Sequence, residues 1–347
     1  MHDLVVAGGG PVGMAAALHA RGAGLSVVVR EPRSGPIDKA CGEGLMPGAV
    51  AELADLGVHP RGRELTGIHY LDGTADRPGV TARFAVGPGR GVRRTVLHDA
   101  LAQRVAEAGI EVDSRPVEDV RDAGDHLLVD GEPARYLIAA DGLHSPVRRM
   151  LGLDAATPGR RRFGLRCHVQ QAPWTSYVEV HWSRRAEAYV TPVDDDLVGV
   201  AVLSDAGTRF DDLLDGFPLL RVRLTGDRTR VMGAGPLRQR ATSRSAGRVL
   251  LVGDAGGYVD ALTGEGIALG LAQARVAVES LAAGRPEAYD RRARRLGMRH
   301  ELLTHALLSA TSHQVVRRRL VPAAERVPWL FSAAVNQLAR PVRTSTP

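Results

Sequence analysis

Six residues near the start constrain this chain more than any others. Gly8-Gly9-Gly10-Pro11-Val12-Gly13 fits the pattern G-x-G-x-x-G. It follows the apolar run Leu4-Val5-Val6-Ala7 and opens a helical stretch, Met14 to Arg21, that closes at Gly22 and Gly24. A second β-branched run, Leu25 to Arg30, comes next. Strand, glycine turn, helix and strand in that order are the setting in which the pattern has a mechanism. Gly8 makes the tight turn, Gly10 lets the backbone approach a pyrophosphate, and Gly13 permits close helix packing. The free N–H groups of the helix start then face the phosphates. Glu31 is placed to accept hydrogen bonds from ribose hydroxyls and to repel a 2′-phosphate. The reading is a bound dinucleotide, NAD or FAD; the plain alternative is a glycine-rich loop with no ligand.

Composition narrows the class. The 347 residues are enough for about two lobes of roughly 150 residues each. Hydrophobic content of 44% and charged content of 24% exclude a disordered chain, a coiled coil or a collagen-like repeat. Of 45 basic residues only Lys39 is a lysine, and the arginine excess is read first as coding bias. The arginine pairs are scattered and the 14 aromatics carry no nucleic-acid motif, so no nucleic-acid partner is expected. Met1 leads directly into the first apolar run with no charged leader or cleavage site, and Cys41 and Cys167 lie far apart. A cytoplasmic protein with reduced thiols is expected. No apolar stretch approaches the roughly 20 residues of a membrane span.

The apolar pattern changes along the chain. Leu45 to Leu56 and Thr95 to Ala108 read as helices, and Val112 to Ala140 as a strand meander ending in a buried run. Four β-rich segments fill residues 161 to 203, followed by a helix around Phe210 to Leu220. Arg248 to Gly253 is a further buried strand that leads into a helix from Gly264 to Ala283. The fold class expected is α/β. A Rossmann-type dinucleotide lobe, in three pieces at 1–64, 93–160 and 246–285, is interrupted by a mostly antiparallel β-rich substrate lobe at 65–92 and 161–245. Residues 286–347 form a helical C-terminal region.

Two aspartates are placed by this layout. Asp141-Gly142, with Ser145 and Arg148 behind it, ends one buried strand, and Gly253-Asp254 ends another. In open α/β sheets ligands collect at the carboxyl ends of the strands, so both aspartates converge there. Taken singly, each dipeptide also reads as an ordinary turn. Together and in this order the motifs resemble single-component FAD-dependent monooxygenases of the p-hydroxybenzoate-hydroxylase type (group A) and geranylgeranyl reductase-like flavoproteins. The lobe is then of the glutathione-reductase-like kind. The resemblance implies that the N-terminal fingerprint holds the ADP half of FAD. It puts Asp141 and Gly142 near the pyrophosphate with a link to NAD(P)H use, and Gly253 and Asp254 on the ribityl chain. Gly264-Glu265-Gly266-Ile267 would present amides at a helix start to the isoalloxazine. Arg94 opens a helix that also looks like the family's, with its side chain toward the cofactor.

Cys41-Gly42-Glu43-Gly44 looks like the segment beside the flavin in geranylgeranyl reductase-like proteins, and its plain reading is a turn feeding a helix. There are departures. Ala261 stands where the family has proline after the aspartate at 260, the paired-tryptophan signature of halogenases is missing, and there is no second G-x-G-x-x-G. Metal-ligand spacing is missing too, so no metal is expected.

The resemblance implies two chemistries. In the first, NADH or NADPH reduces FAD and O₂ then gives a flavin C4a-hydroperoxide. That species hydroxylates or epoxidises an aromatic, polyketide or isoprenoid molecule in secondary metabolism. In the second, reduced FAD saturates C=C bonds of an isoprenoid chain. The first is the leading expectation; a redox-inactive flavin-binding protein is the remaining one. For catalysis the candidates are Glu43, His168, His181 and Tyr189. Alternation puts Tyr177, Glu179 and His181 on one strand face, toward either substrate or solvent. The substrate is expected to be small and hydrophobic. The C-terminal region, with Val327, Trp329, Leu330, Phe331, Val335 and Leu338 among arginines, either packs on the protein or touches a membrane peripherally. The sequence leaves the oligomeric state open.

Overall fold

The structure, a computed structural model, describes residues 1–158, 161–205, 207–262 and 264–342. The expected boundary at 160 and the last five residues of the C-terminal region lie outside the described residues.

Burial in the first strand, His2–Ala7, decides its place. Leu4 and Val6 pack on one side, Val5 and Ala7 on the other. A strand apolar on both faces belongs inside a covered parallel sheet. It lies parallel to Val27–Arg30, with Leu4 opposite Val27, and to Glu132–Ala139, with Leu4 opposite Tyr136. Val249–Leu251 and Glu111–Asp113 extend the sheet in parallel on either side, and Val120–Asp122 with Leu127–Val129 adds an antiparallel flap. Helices Pro11–Gly22, Arg94–Glu107 and Gly266–Ala282 cover one face through Ala15, Leu97, Leu101 and Leu271.

A second sheet of seven strands runs in the order Met232–Ala234, Arg162–Gln170, Leu197–Asp205, Glu187–Asp194, Tyr177–Trp182, Gly67–Asp72 and Val80–Arg83. Its one parallel pairing joins Tyr177–Trp182 to Gly67–Asp72. The outer face packs through Cys167, Val200 and Val202 on two short helices, Phe210–Leu214 and Pro218–Arg223. A single helix was expected there. Pro218 breaks it, because the residue before a proline is pushed out of the helical region, and Phe217 has φ −132° and ψ 66°.

The C-terminal helices Ala288–Ser312, Gln314–Arg326 and Pro328–Ala339 pack on the protein. Asn336 accepts from the Ala85 N–H (2.7 Å) and donates to the Arg83 carbonyl (2.9 Å), fastening the last helix to the edge strand of the second sheet. The Phe331 ring lies 4.7 Å from that of Tyr70. Beyond this helix, Arg275 of the first lobe donates to the Val342 carbonyl (3.2 Å), so the tail spans both lobes. Its apolar residues divide accordingly: Val335 is buried, while Trp329 and Leu330 are 71% and 56% exposed. Among the described residues no helix is long and apolar enough to cross a membrane.

Candidate active site

The glycine turn is set by close contacts. Gly8 sits at φ +103°, its N–H on the Arg30 carbonyl (2.8 Å), so its conformation is one that glycine adopts without cost. A Cβ on Gly13 would lie 1.9 Å from the Gly8 oxygen, whereas one on Gly10 would meet only the Arg94 guanidinium, 3.9 Å away. Gly13 therefore holds the helix against the turn, and Gly10 faces open room. Pro11 takes the first helical position and leaves no unpaired N–H of its own. Val12 is the spacer that a Cβ on Gly253 (3.2 Å) or on Gly270 (2.5 Å) would strike, so it wedges the turn against the second aspartate loop.

Glu31 is buried, with one carboxylate oxygen accepting from the Gly9 N–H (2.8 Å). Burial pushes its pKa up, but hydrogen bonds from Arg33 and from Gly9 outweigh this and hold it below the usual range. Arg94 opens its helix with its N–H on Glu43 (2.9 Å), its guanidinium toward Gly10 and its Nε buried without a partner. One helical turn on, His98 is buried with both ring nitrogens unpartnered; burial, and then the Arg94 charge, lowers its pKa. Sequence reasoning passed over His98, although its i+4 spacing from Arg94 was the available signal.

The two aspartate loops are tied together. Asp141 accepts from the Val147 N–H (3.0 Å) through one oxygen, while the other is buried without a partner, and burial raises its pKa. Gly142 follows at φ +87°. Arg148, fully buried, donates to Asp154 (2.5 Å), to the Leu143 carbonyl (3.2 Å) and to the Ala255 carbonyl (3.0 Å). It thereby fastens the Asp141 loop to the Gly253-Asp254 loop. The Gly253 N–H donates to Gln273 (2.9 Å) on the following helix.

Between the sheets lies a cavity of about 570 Å³. Cys41, Gly42, Asp254, Gly264, Gly266 and Ile267 line it on the first-lobe side. Gly264 adopts φ +69°, and Gly266 and Ile267 begin the helix, so their N–H groups lack intrahelical partners. The second sheet supplies Val178, Val180, Tyr189 and Leu203, and the C-terminal helices supply Leu303, Leu307, Leu320, Phe331 and Leu338.

One corner of this cavity is polar. Glu43, at φ +58°, is buried; its Oε2 is 2.8 Å from His168 Nε2, and its Oε1 takes the Arg94 N–H. His168 Nδ1 is 3.3 Å from Arg166, which pairs with Asp38. Thr191 Oγ1 donates to the Gly42 carbonyl (2.8 Å) and fixes the loop from the opposite sheet. Glu43 and His168 thus meet, across 125 residues of sequence. Arg166 was missed, though period-two spacing with His168 put both on one face. Lys39 was missed as a site residue too: it lines the cavity, its Nζ 3.2 Å from where a Gly142 Cβ would stand. Its rarity in the sequence was the available signal.

His181 does not reach this site. Val178 and Val180 line the cavity, so alternation turns Tyr177, Glu179 and His181 to the opposite face. There His181 pairs with Glu179 (3.0 Å), which also accepts from Trp174 (3.0 Å). The face that carries His181 sees neither substrate nor open solvent. Tyr189 does line the cavity, but its hydroxyl is committed to the Leu262 carbonyl (3.0 Å), and burial raises its pKa. Asp260, on the loop before Gly264, is buried beside Arg162; burial pushes its pKa to about 6 against the arginine's opposing pull.

The FAD binding domain family matches residues 1–204. Menaquinone reductase of Mycobacterium tuberculosis is 32% identical over 314 residues, covering 80% of this chain and 76% of that protein. Digeranylgeranylglycerophospholipid reductase 1 of Methanothermobacter thermautotrophicus is 28% identical over 322 residues, covering 85% and 80% respectively. The solved p-nitrophenol 4-monooxygenase of Pseudomonas putida superimposes with a TM-score of 0.79 at 19% identity, covering 97% of this chain and 98% of that one. At that identity the likeness is one of fold.

Proposed function

This chain belongs to the FAD binding domain family and is an FAD-dependent oxidoreductase, and we propose that it saturates C=C bonds in the hydrocarbon chain of an isoprenoid small molecule, with NADH or NADPH as reductant, in the cytoplasm. The carrying observation is the cavity wall: among the described residues, every side chain that the C-terminal helices contribute to it is apolar. Such a wall binds a hydrocarbon chain through burial alone.

The residues present fit FAD. The room in front of Gly10, the buried and unpartnered Asp141 Oδ1, Arg94 Nε and His98 nitrogens, and the open space at Gly42 and Gly264 on the cavity wall are what such a group needs. Gly8, Gly10, Pro11, Val12, Gly13 and Glu31 would hold its ADP half. Arg94, Asp141, Gly142, Gly253 and Asp254 would hold the middle, and Cys41, Gly42, Gly264, Gly266 and Ile267 the ring. Bound and reduced, FAD supplies the hydride. The chain's own part is to orient the alkene, exclude water and deliver one proton to the second carbon. The Glu43–His168 pair holds that proton at the cavity's polar corner, and Arg166 with Asp38 fixes the imidazole.

Oxygen transfer to an aromatic, polyketide or isoprenoid molecule, the leading expectation from the motifs, is the second reading. It is favoured by the same enclosure from water. Menaquinone and a geranylgeranyl lipid, each offered with NADPH in air and under argon, separate the two. A product with two added hydrogens that forms under argon is expected. A product with one added oxygen that forms only in air would replace the proposal.

A further inference from the structure

The three C-terminal helices, of 25, 13 and 12 residues in a chain of 347, turn one face to the cavity and another to solvent. The solvent face is unlike the rest of the surface. Of the twelve exposed large apolar side chains among the described residues, Met298, Leu302, Val316, Trp329 and Leu330 lie on these helices. Trp329 is the one aromatic among the twelve.

On Ala288–Ser312 the pattern has helical order. Met298 and Leu302, four apart, are 62% and 68% exposed, and Arg291, Arg295 and Arg299 form a second exposed row at the same spacing. Residues three and four apart are neighbours on a helix, so Arg295 adjoins Met298 and Arg299 adjoins Leu302. Among the described residues no carboxylate of the three helices is exposed. Asp290, Glu301 and Glu325 are part-buried, and each is held by an arginine: Arg294 (2.8 Å), Arg244 (2.7 Å) and Arg77 (2.9 Å).

This apolar surface runs to the cavity's edge. Ala306, one turn beyond Leu302, and Ala334, one turn beyond Leu330, both line the cavity and are exposed. Exposed side chains from two helices therefore border one rim. Coding bias explains many arginines, but not a tryptophan, two leucines and a methionine left in water beside them. Exposed apolar side chains edged by positive charge mark a surface made to be covered.

We propose that this face docks on an anionic phospholipid bilayer, with Met298, Leu302, Trp329 and Leu330 at the start of the acyl chains and Arg291, Arg295 and Arg299 on headgroup phosphates. Charge selects this occupant. A second copy of the chain would bring like-charged rows together, which opposes binding, whereas anionic lipids attract each arginine. Tryptophan and arginine also suit the boundary between headgroups and chains, since each has an apolar body and a polar end. Once docked, the rim at Ala306 and Ala334 meets ligands dissolved in the bilayer. The inference concerns a surface, so it holds for either reaction considered above.

Sedimentation of the FAD-loaded protein with vesicles tests it, with no turnover needed. Vesicles of equal parts phosphatidylcholine and phosphatidylglycerol should bring the protein down. Phosphatidylcholine alone should bind it about tenfold more weakly, and raised salt should release it. Arg295→Gln/Arg299→Gln and Trp329→Ser/Leu330→Ser should each weaken binding about tenfold or more. All four positions are exposed, so both variants should keep the flavin spectrum and circular dichroism of the wild type. Protein that stays in solution with both vesicles, binding that ignores vesicle charge, or wild-type affinity in both variants would overturn the proposal. So would a dimer, seen by analytical ultracentrifugation without lipid, that Trp329→Ser/Leu330→Ser dissolves, because a second copy would then be the occupant.

Discussion

The glycine turn and the Glu43 corner face the same site yet are built in opposite ways. At the turn, six consecutive residues suffice, and what matters is backbone: absent Cβ atoms and free N–H groups. At the corner, Asp38 and Glu43 from one segment meet Arg166 and His168 from a strand more than a hundred residues later, and only side chains count. The turn should therefore reject any added carbon, and the corner should tolerate carbon but not a lost charge.

The sharpest break would come at Gly13. Its Cβ would press on the backbone oxygen of Gly8, which cannot rotate away, so Gly13→Val should cost about 4 kcal/mol or more and leave no cooperative unfolding transition by circular dichroism. Gly10→Val should part company with it. Its side chain enters open room, so the apoprotein should unfold in urea within about 1 kcal/mol of wild type, yet retain no FAD after gel filtration. A Gly10→Val protein carrying stoichiometric flavin would refute the reading of the turn.

Asp260 tests the seam between the two regions, since it lies on a first-lobe loop and is held by Arg162 of the second sheet. Its folded pKa of about 6 stands above the unfolded 3.8, so the bound proton stabilises the fold fully below the lower value. That stability is lost as pH rises through about 6. Relative to Asp260→Asn, which stays neutral, the wild type should lose about 3 kcal/mol between pH 4 and 7 in urea titrations and change little above that. A constant difference across this range would mean the carboxyl is not buried as described.

At the corner, Glu43→Gln should keep FAD and cut kcat about 100-fold, while the smallest effect is expected from His181→Ala. That histidine faces away from the cavity, so turnover should stay within about twofold even if some stability is lost. Reversed ranks for these two variants would exchange the strand faces assigned above.

The corner also marks where the sequence stopped being readable. Glu43 and His168 were both recognisable as polar candidates, but so were His181 and Tyr189, and nothing local ranks them. Their order depends on register. A shift of one residue along Tyr177–Trp182 would bring His181 into the cavity and take Val180 out. The tail poses the same problem on a larger scale: Phe331 and Trp329 are two residues apart in one helix, and one contacts Tyr70 while the other faces outward.

The sequence by itself determined the dinucleotide turn, the order of the aspartate loops and hence the flavoprotein fold, because each of these is a backbone conformation written in consecutive residues. Only the tertiary structure decided that His168 meets Glu43 while His181 turns to Glu179, and that the C-terminal helices roof the cavity. Those depend on side-chain direction and on contacts between distant segments. Such contacts are fixed by sheet register and helix packing, which no short stretch of sequence contains.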